Sequence, residues 1–148
     1  MRGQSRQITV VNVHGTSGIM PADMDCRAAQ VEQIFVNMDG EPGANGERNV
    51  ILGDLNTDPG RVPGWIDTSV AAWNDHVGGS QPFQWVSPFG AGAVPTYTGG
   101  LNIDHVISDA FTSRGGCYAP GATPGFPAVY PYIYFDHKPL VCELGDLY

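Results

Sequence analysis

The chain has 148 residues, with 7 Lys plus Arg against 15 Asp plus Glu, for a formal charge of −8. That length suits one domain with one core, and a 42% hydrophobic fraction with only 15% charged residues excludes a disordered chain. No apolar run approaches the ~20 residues that span a bilayer. The acidic balance argues against non-specific binding along a phosphate backbone, but not against a carboxylate site that handles phosphate through a divalent cation.

Met1 to Gln7 lack the apolar stretch of a secretory signal. Residues 8–13, Ile8-Thr9-Val10-Val11-Asn12-Val13, predict a strand buried on both faces. His14-Gly15-Thr16-Ser17-Gly18 breaks it. A helix is expected over 23–38, with Asp23 and Asp25 in the first turn, where carboxylates complement the helix dipole. Ala28, Val31, Ile34, Phe35 and Met38 form its apolar face at three- and four-residue spacing. A polar, glycine-rich turn over 39–46 leads into a second short buried strand, Asn49-Val50-Ile51-Leu52, which runs into Gly53-Asp54-Leu55-Asn56. Strand, helix and strand in this order predict neighbouring strands joined by a crossover helix.

A short helix is expected over 65–76, and a loop over 77–97 that carries Phe83, Trp85 and Phe89. Residues 103–108 predict a strand, 112–118 a weaker one, 119–132 a Pro/Gly/Tyr loop, and 139–144 the closing strand. Neither an internal repeat nor an interdomain linker is evident, so 1–148 reads as a single domain. Cys26, Cys117 and Cys142 fit no zinc spacing. Cys26 reads as a buried thiol, whereas Cys117 and Cys142 permit a disulfide in an oxidising compartment.

Polar residues fall where strands end. His14 ends the first strand, Asp54 and Asn56 end the second, Asp104 lies in the third, and Asp136-His137 precedes the last. Ligands gather at strand ends in layered α/β proteins. Singly, each residue has a structural explanation: a strand-end histidine, a turn former in Asn56-Thr57-Asp58-Pro59-Gly60, an exposed dipeptide. Asp104 fits least well, because a carboxylate inside an apolar strand is costly unless paired.

The ordered set resembles the second half of the endonuclease/exonuclease/phosphatase family, which includes deoxyribonuclease-type nucleases, abasic-site endonucleases, neutral sphingomyelinases and inositol-polyphosphate 5-phosphatases. The matching pieces are Val11-Asn12-Val13-His14, Arg27-Ala28-Ala29-Gln30, Gly53-Asp54-Leu55-Asn56, Thr96-Tyr97-Thr98, Ile103-Asp104-His105-Val106-Ile107 and Asp136-His137-Lys138-Pro139-Leu140-Val141. Their order and spacing match from about residue 8 to residue 144. The resemblance implies an α/β fold of the family's kind, a four-layered α/β sandwich of two mixed sheets with helices outside. It also implies hydrolysis of phosphoric esters with Mg²⁺, Mn²⁺ or Ca²⁺.

Carried over residue by residue, Asp54 and Asn56 would position and polarise the attacking water and a phosphate oxygen. His137 would contact the scissile phosphate as base or as transition-state stabiliser, oriented by Asp104. Asp136 would lie at the metal site, its hard oxygen suiting Mg²⁺. His14 would stabilise phosphate charge or assist the leaving group, and Asn12 would help line the site. His105 should face away from its neighbour Asp104 and stay outside the chemistry. Arg27 and Gln30 read as structural hydrogen-bonding residues, and Phe83, Trp85, Phe89 and Tyr97 as loop packing. The expected substrate is a nucleic acid, a phospholipid head group or a small phosphodiester.

The family's first half contributes an early Asn and a metal-binding Glu, each just after a strand. The 13 residues before His14 hold no Glu and only Asn12. The resemblance therefore implies that the N-terminal part of the fold is missing, that apolar surface is left uncovered, and that metal binding and activity are weak. Secretion would depend on a signal in that missing part. The rival reading is a non-catalytic truncated family member acting as a binding module.

Overall fold

The computed structural model describes residues 7–90, 92–128 and 135–147. Residues 1–6, and the part of the expected 119–132 loop from 129 onward, lie outside the described residues. Among the described residues the fold is mixed α/β, with two helices and two small sheets. One sheet has four strands in the order β1-β2-β4-β3, formed by β1 (Thr9–His14), β2 (Asn49–Asp54), β4 (Asp104–Ser108) and β3 (Gln84–Trp85). β1 runs parallel to β2, while β4 is antiparallel to both β2 and β3. The other sheet is a two-stranded antiparallel pair, β5 (Phe111–Tyr118) with β6 (Val141–Asp146).

The expected crossover is present: helix α1 (Pro21–Phe35) connects the parallel pair β1 and β2. Pro21 opens the helix, where a missing N–H costs nothing, and Asp23 Oδ2 accepts from Met20 N at 3.2 Å. The helix stops at Phe35, short of the expected end. Met38 is therefore exposed rather than part of the apolar face. Helix α2 (Thr68–His76) starts later than expected because Asp67 is its N-cap, its carboxylate accepting from Ser69 N at 2.9 Å. Val31 and Ile34 of α1, Ala72 and Trp73 of α2, and Ile51 and Ile107 of the sheet form the core with Leu55 and Val77.

Three expectations are corrected. β1 is not buried on both faces: it is an edge strand whose residues alternate half-buried and exposed, because only the α1 side of the sheet is covered. Val11 and Val13 pack on the core, whereas Val10 stands 59% exposed on the other face. The 77–97 stretch is not all loop, since Gln84-Trp85 pairs with Ile107 and Ser108 as the outer strand β3. Cys26 is an exposed thiol, not a buried one. It sits beside Thr16 Oγ1 at 3.2 Å, while its neighbour Arg27 takes the inward position on α1.

Cys117 and Cys142, direct partners across β5 and β6, form the disulfide. A bulge between Ser113 and Cys117 is accommodated by Gly115 and Gly116, both at positive φ. Arg48, lying over the Phe111 ring at 4.2 Å, pairs with Asp146 and ties this sheet to the start of β2.

Arg27 is the buried fastener of the fold. Its Nη2 donates to Asp67 Oδ2 at 2.8 Å, its Nη1 to the carbonyls of Thr16 and Gly18, both at 2.8 Å, and its Nε to Ser69 Oγ at 3.3 Å. Ser69 and Thr57 hydroxyls complete the network at 2.8 Å. One guanidinium thus holds the loop after β1, the segment after β2 and the start of α2. Gln30 joins it, accepting from Thr16 N at 2.9 Å. Both residues have the structural role expected of them. Arg27→Ala would strand Asp67 without its counter-charge, and we expect it to cost about 3–5 kcal/mol in urea unfolding. Lys at this position should fail to restore the loss, since it lacks the fork that serves four acceptors.

Candidate active site

The sheet register builds the site. His14 pairs with Asp54 across β1 and β2, and Asp54 pairs with Asp104 across β2 and β4. Directly paired residues project to one face, so the three form a transverse row at the end of the sheet. The next row on that face is Asn12, Leu52 and Val106. It is the face not covered by α1.

The turn after β2 fixes Asp54 from behind. Gly53 lies at φ 133°, and a Cβ there would run into the Val13 carbonyl, so only glycine fits. Asn56 lies at φ 49°, a left-handed position that Asn tolerates. Its backbone N–H donates to Asp54 Oδ1 at 2.8 Å and its side-chain amide to Asp54 Oδ2 at 3.1 Å and the Gly15 carbonyl at 2.9 Å. The amide nitrogen is thereby committed. The Asn56 side-chain oxygen accepts from no group among the described residues, and it is the end left to hold a water.

His137 is delivered by the segment leading into β6. Lys138 N donates to the Thr96 carbonyl at 2.7 Å and Thr98 N to the Asp136 carbonyl at 2.9 Å, around an antiparallel bridge between Tyr97 and His137. His137 Nδ1 then meets Asp104 Oδ2 at 2.9 Å, and its Nε2 stands 3.6 Å from Asp54 Oδ2. His14 Nε2 is 3.7 Å from the same Asp54 oxygen, with its side chain 79% exposed. The structure therefore brings Asp54, Asn56, Asp104 and His137 together, with His14 at the rim. Asp136 is exposed and is not one of the three groups that converge closely. Asn12 is exposed one row away.

Thr96 is the residue that sequence reasoning left without a role. Its Oγ1 accepts from the backbone N–H groups of Ile103 and Asp104 at 3.2 and 3.1 Å, while its carbonyl holds Lys138. It therefore positions both halves of the Asp104–His137 pair. The only signal available for it was its place in the quoted Thr96-Tyr97-Thr98 piece. Tyr97, expected to be loop packing, lies against the His137 ring at 5.2 Å between centroids. Asp58, quoted only as part of the turn sequence after β2, is buried and accepts from Asn102 N at 2.8 Å and Arg61 Nη1 at 2.7 Å, anchoring the segment before β4.

His105 is on the opposite face of β4, as expected, and is buried. Its Nε2 meets the Asn102 carbonyl at 2.7 Å and its Nδ1 the Ser87 hydroxyl at 3.3 Å. Burial pushes its pKa down, so it stays neutral near pH 7. Asp54 is shifted the other way. Partial burial raises its pKa, the Asn56 backbone N–H opposes this, and the Asp104 charge adds to the rise. For His137, partial burial works against the charged ring. The hydrogen bond and charge of Asp104, with Asp54 and Asp136 behind it, outweigh that and hold its pKa above the ordinary imidazole value.

Asp54, Asp104 and His137 each offer a ligand atom, all within 4.8 Å of one another. Their chemistry fits a hard divalent cation in part: carboxylate oxygens suit Mg²⁺, which keeps most of its waters and needs few protein ligands. Nδ1 of His137 is already engaged by Asp104, so this pair serves as oriented imidazole rather than as two independent ligands. A cavity of about 570 Å³ adjoins the cluster, lined by Leu52, Gly53, Val106, Phe135 and Leu140 beside Asp104 and His137.

Comparison with family models, with curated proteins and with solved structures gives no match to this chain. The family likeness stands on the quoted motifs alone.

The raised His137 pKa has a signed consequence. A histidine whose folded pKa exceeds its unfolded one adds stability in full below the unfolded value and loses it as pH rises through the folded value. Asp104→Asn should move the His137 titration, followed by the ring proton resonances, to lower pH. It should also remove that pH-dependent part of the unfolding free energy. An unchanged titration would mean that the Asp104 bond does not set the shift.

Proposed function

We propose that the row His14–Asp54–Asp104, closed by His137, is the active centre of a metal-dependent phosphodiester hydrolase of the endonuclease/exonuclease/phosphatase family. The corresponding architecture is the family's four-layered sandwich, to which the mixed sheet and its two helices would contribute. The observation that carries the reading is the imidazole held by Asp104 on one nitrogen while its other nitrogen faces Asp54. Hydrolysis of a phosphodiester needs a group to receive a proton from water and a cationic donor for the charge on the phosphoryl oxygens.

The two pKa directions divide these roles. His137, favoured in its protonated form, suits the stabiliser: Nε2–H donates to a non-bridging oxygen while Asp104 fixes the ring. Asp54, with its pKa raised above the ordinary carboxylate value by partial burial, suits the acceptor of the water proton, and the Asn56 side-chain oxygen orients that water. The water oxygen bonds to phosphorus, its proton passing to Asp54, as the bond from phosphorus to the ester oxygen breaks, and His14 at the rim would protonate that departing oxygen. A divalent cation, Mg²⁺ or equally Mn²⁺ or Ca²⁺, held with Asp136 as a ligand, would supply charge neutralisation at the phosphate.

A second reading has one observation in its favour. The uncovered face of the four-stranded sheet carries exposed Val10 and Asn12, which suits a binding module. The assay that separates the two is release of p-nitrophenolate from bis-p-nitrophenyl phosphate with Mg²⁺ or Mn²⁺. We expect slow, metal-dependent turnover that falls at least about a hundredfold in His137→Ala and in Asp54→Asn. Turnover that survives His137→Ala overturns the assignment, and no turnover with either metal leaves the binding module.

A further inference from the structure

A second cavity, of about 560 Å³, lies at the outer strand of the four-stranded sheet. Asn74, Ser80, Gln81, Gln84, Trp85 and Phe89 line it. Trp85 pairs with Ile107 and shares its face, the one covered by the helices. Asp104 projects to the other face. The cavity and the row of His14, Asp54 and Asp104 therefore belong to different sides of the sheet.

The floor of the cavity is aromatic and fixed. Trp85 is wedged between Trp73 and His105, with ring centroids 6.0 and 4.9 Å away. Phe89 stacks on Trp85 almost parallel, at 5.1 Å and 15°. One face of the Phe89 ring is covered by the indole, yet the residue is still 46% exposed. The turn before β3 is closed by its own backbone. Gly78 N donates to the Phe83 carbonyl at 2.8 Å, and Gln81 N to the Gly78 carbonyl at 3.0 Å. A platform held this way loses little freedom when a ligand settles on it.

The rim is polar and uncharged. The side chains of Asn74, Ser80 and Gln81 make no hydrogen bond to another described residue. Gln84 donates its amide to the Gln81 carbonyl at 2.6 Å, and its side-chain oxygen accepts from no described residue. Two free amides and a hydroxyl offer donors and acceptors together. No lining residue carries a charge.

A flat apolar ring beside neutral donors and acceptors complements a pyranose. Such a sugar has C–H groups on its faces and hydroxyls, each donor and acceptor, around its rim. Its faces are flattest where the hydroxyls are equatorial, as in β-linked glucose. A nucleotide would bring a phosphate that finds no cation here and meets exposed Asp75 beside Asn74. A proline-rich peptide needs an aromatic-lined groove, and here the two rings lie on one another rather than side by side.

We propose that this cavity is a subsite for a neutral oligosaccharide of β-linked pyranoses. One sugar ring lies on Phe89, and Asn74, Ser80, Gln81 and Gln84 bond its hydroxyls. Binding here is independent of the phosphodiester chemistry on the other face.

The test is isothermal titration of the full chain with cellohexaose and with N-acetylchitohexaose, in EDTA. At least one of them is expected to bind and to shift the Trp85 indole proton resonance. Phe89→Leu keeps an apolar side chain but removes the flat ring, and it should weaken binding about tenfold. Phe89→Trp should retain or tighten it. Asn74→Ala should weaken it about fivefold. Circular dichroism should be unchanged in all three variants, and His137→Ala should bind as the parent does.

Absence of binding by both saccharides overturns the subsite. So does parental affinity in both Phe89→Leu and Asn74→Ala, or tighter binding of adenosine or decaproline. Loss of binding in His137→Ala would move the sugar to the candidate active site and overturn it too. Saccharide binding without bis-p-nitrophenyl phosphate turnover would retain the subsite and remove the hydrolase reading; the converse result would do the opposite.

Discussion

The registration of three strands is the constraint on which the rest depends. β2 lies between β1 and β4, and its pairing places His14, Asp54 and Asp104 in one row. Side chains alternate with a period of two, so a slip of one residue in β1 would turn His14 to the helix side and bring Val13 into the row. Burial guards against that slip. Val11 and Val13 pack on the core from the same strand that presents Asn12 and His14 outward. Ile51 and Ile107, fully buried, do the same for β2 and β4. The hydrophobic pattern that holds the sheet together is thus also what aligns its polar residues.

Much of this is legible in the residues themselves. The runs around Val10, Ile51 and Val106 declare strands because β-branched residues cluster there, and α1 declares itself by its spaced apolar face. The disulfide partners are cysteines with no competing metal pattern. Other features depend on tertiary context that no local run encodes. Val10-Val11-Asn12-Val13 reads the same in a central strand as at an edge, yet here one face has no cover. β3 is two residues long and exists because Trp85 finds Ile107. Cys26 and Arg27 are adjacent on a helix, and the inward position went to the arginine because Asp67 and Ser69 wait there.

The candidate site divides along the same line. Asp54, Asn56, Asp104 and His137 are visible as motif residues at strand ends, and they converge. Thr96 is not visible, because a threonine becomes informative only when two backbone N–H groups are seen to share its hydroxyl. The protonation preferences likewise need coordinates. Two histidines, His105 and His137, are pushed in opposite directions because deep burial outweighs the nearby carboxylates at the first, while at the second the hydrogen bond and charge of Asp104 outweigh a shallower burial.

Gly53 closes a path of drift. It sits between Leu52 and Asp54, at a backbone angle that L side chains rarely adopt and against the Val13 carbonyl. Every single-nucleotide change that alters a glycine codon's meaning adds a side chain or ends the chain. Each side chain would have to push β1 away from β2 at the row where His14 meets Asp54. A lineage can therefore change Gly40, which has open space around it. It cannot move residue 53 one step at a time without first giving up the alignment of the site.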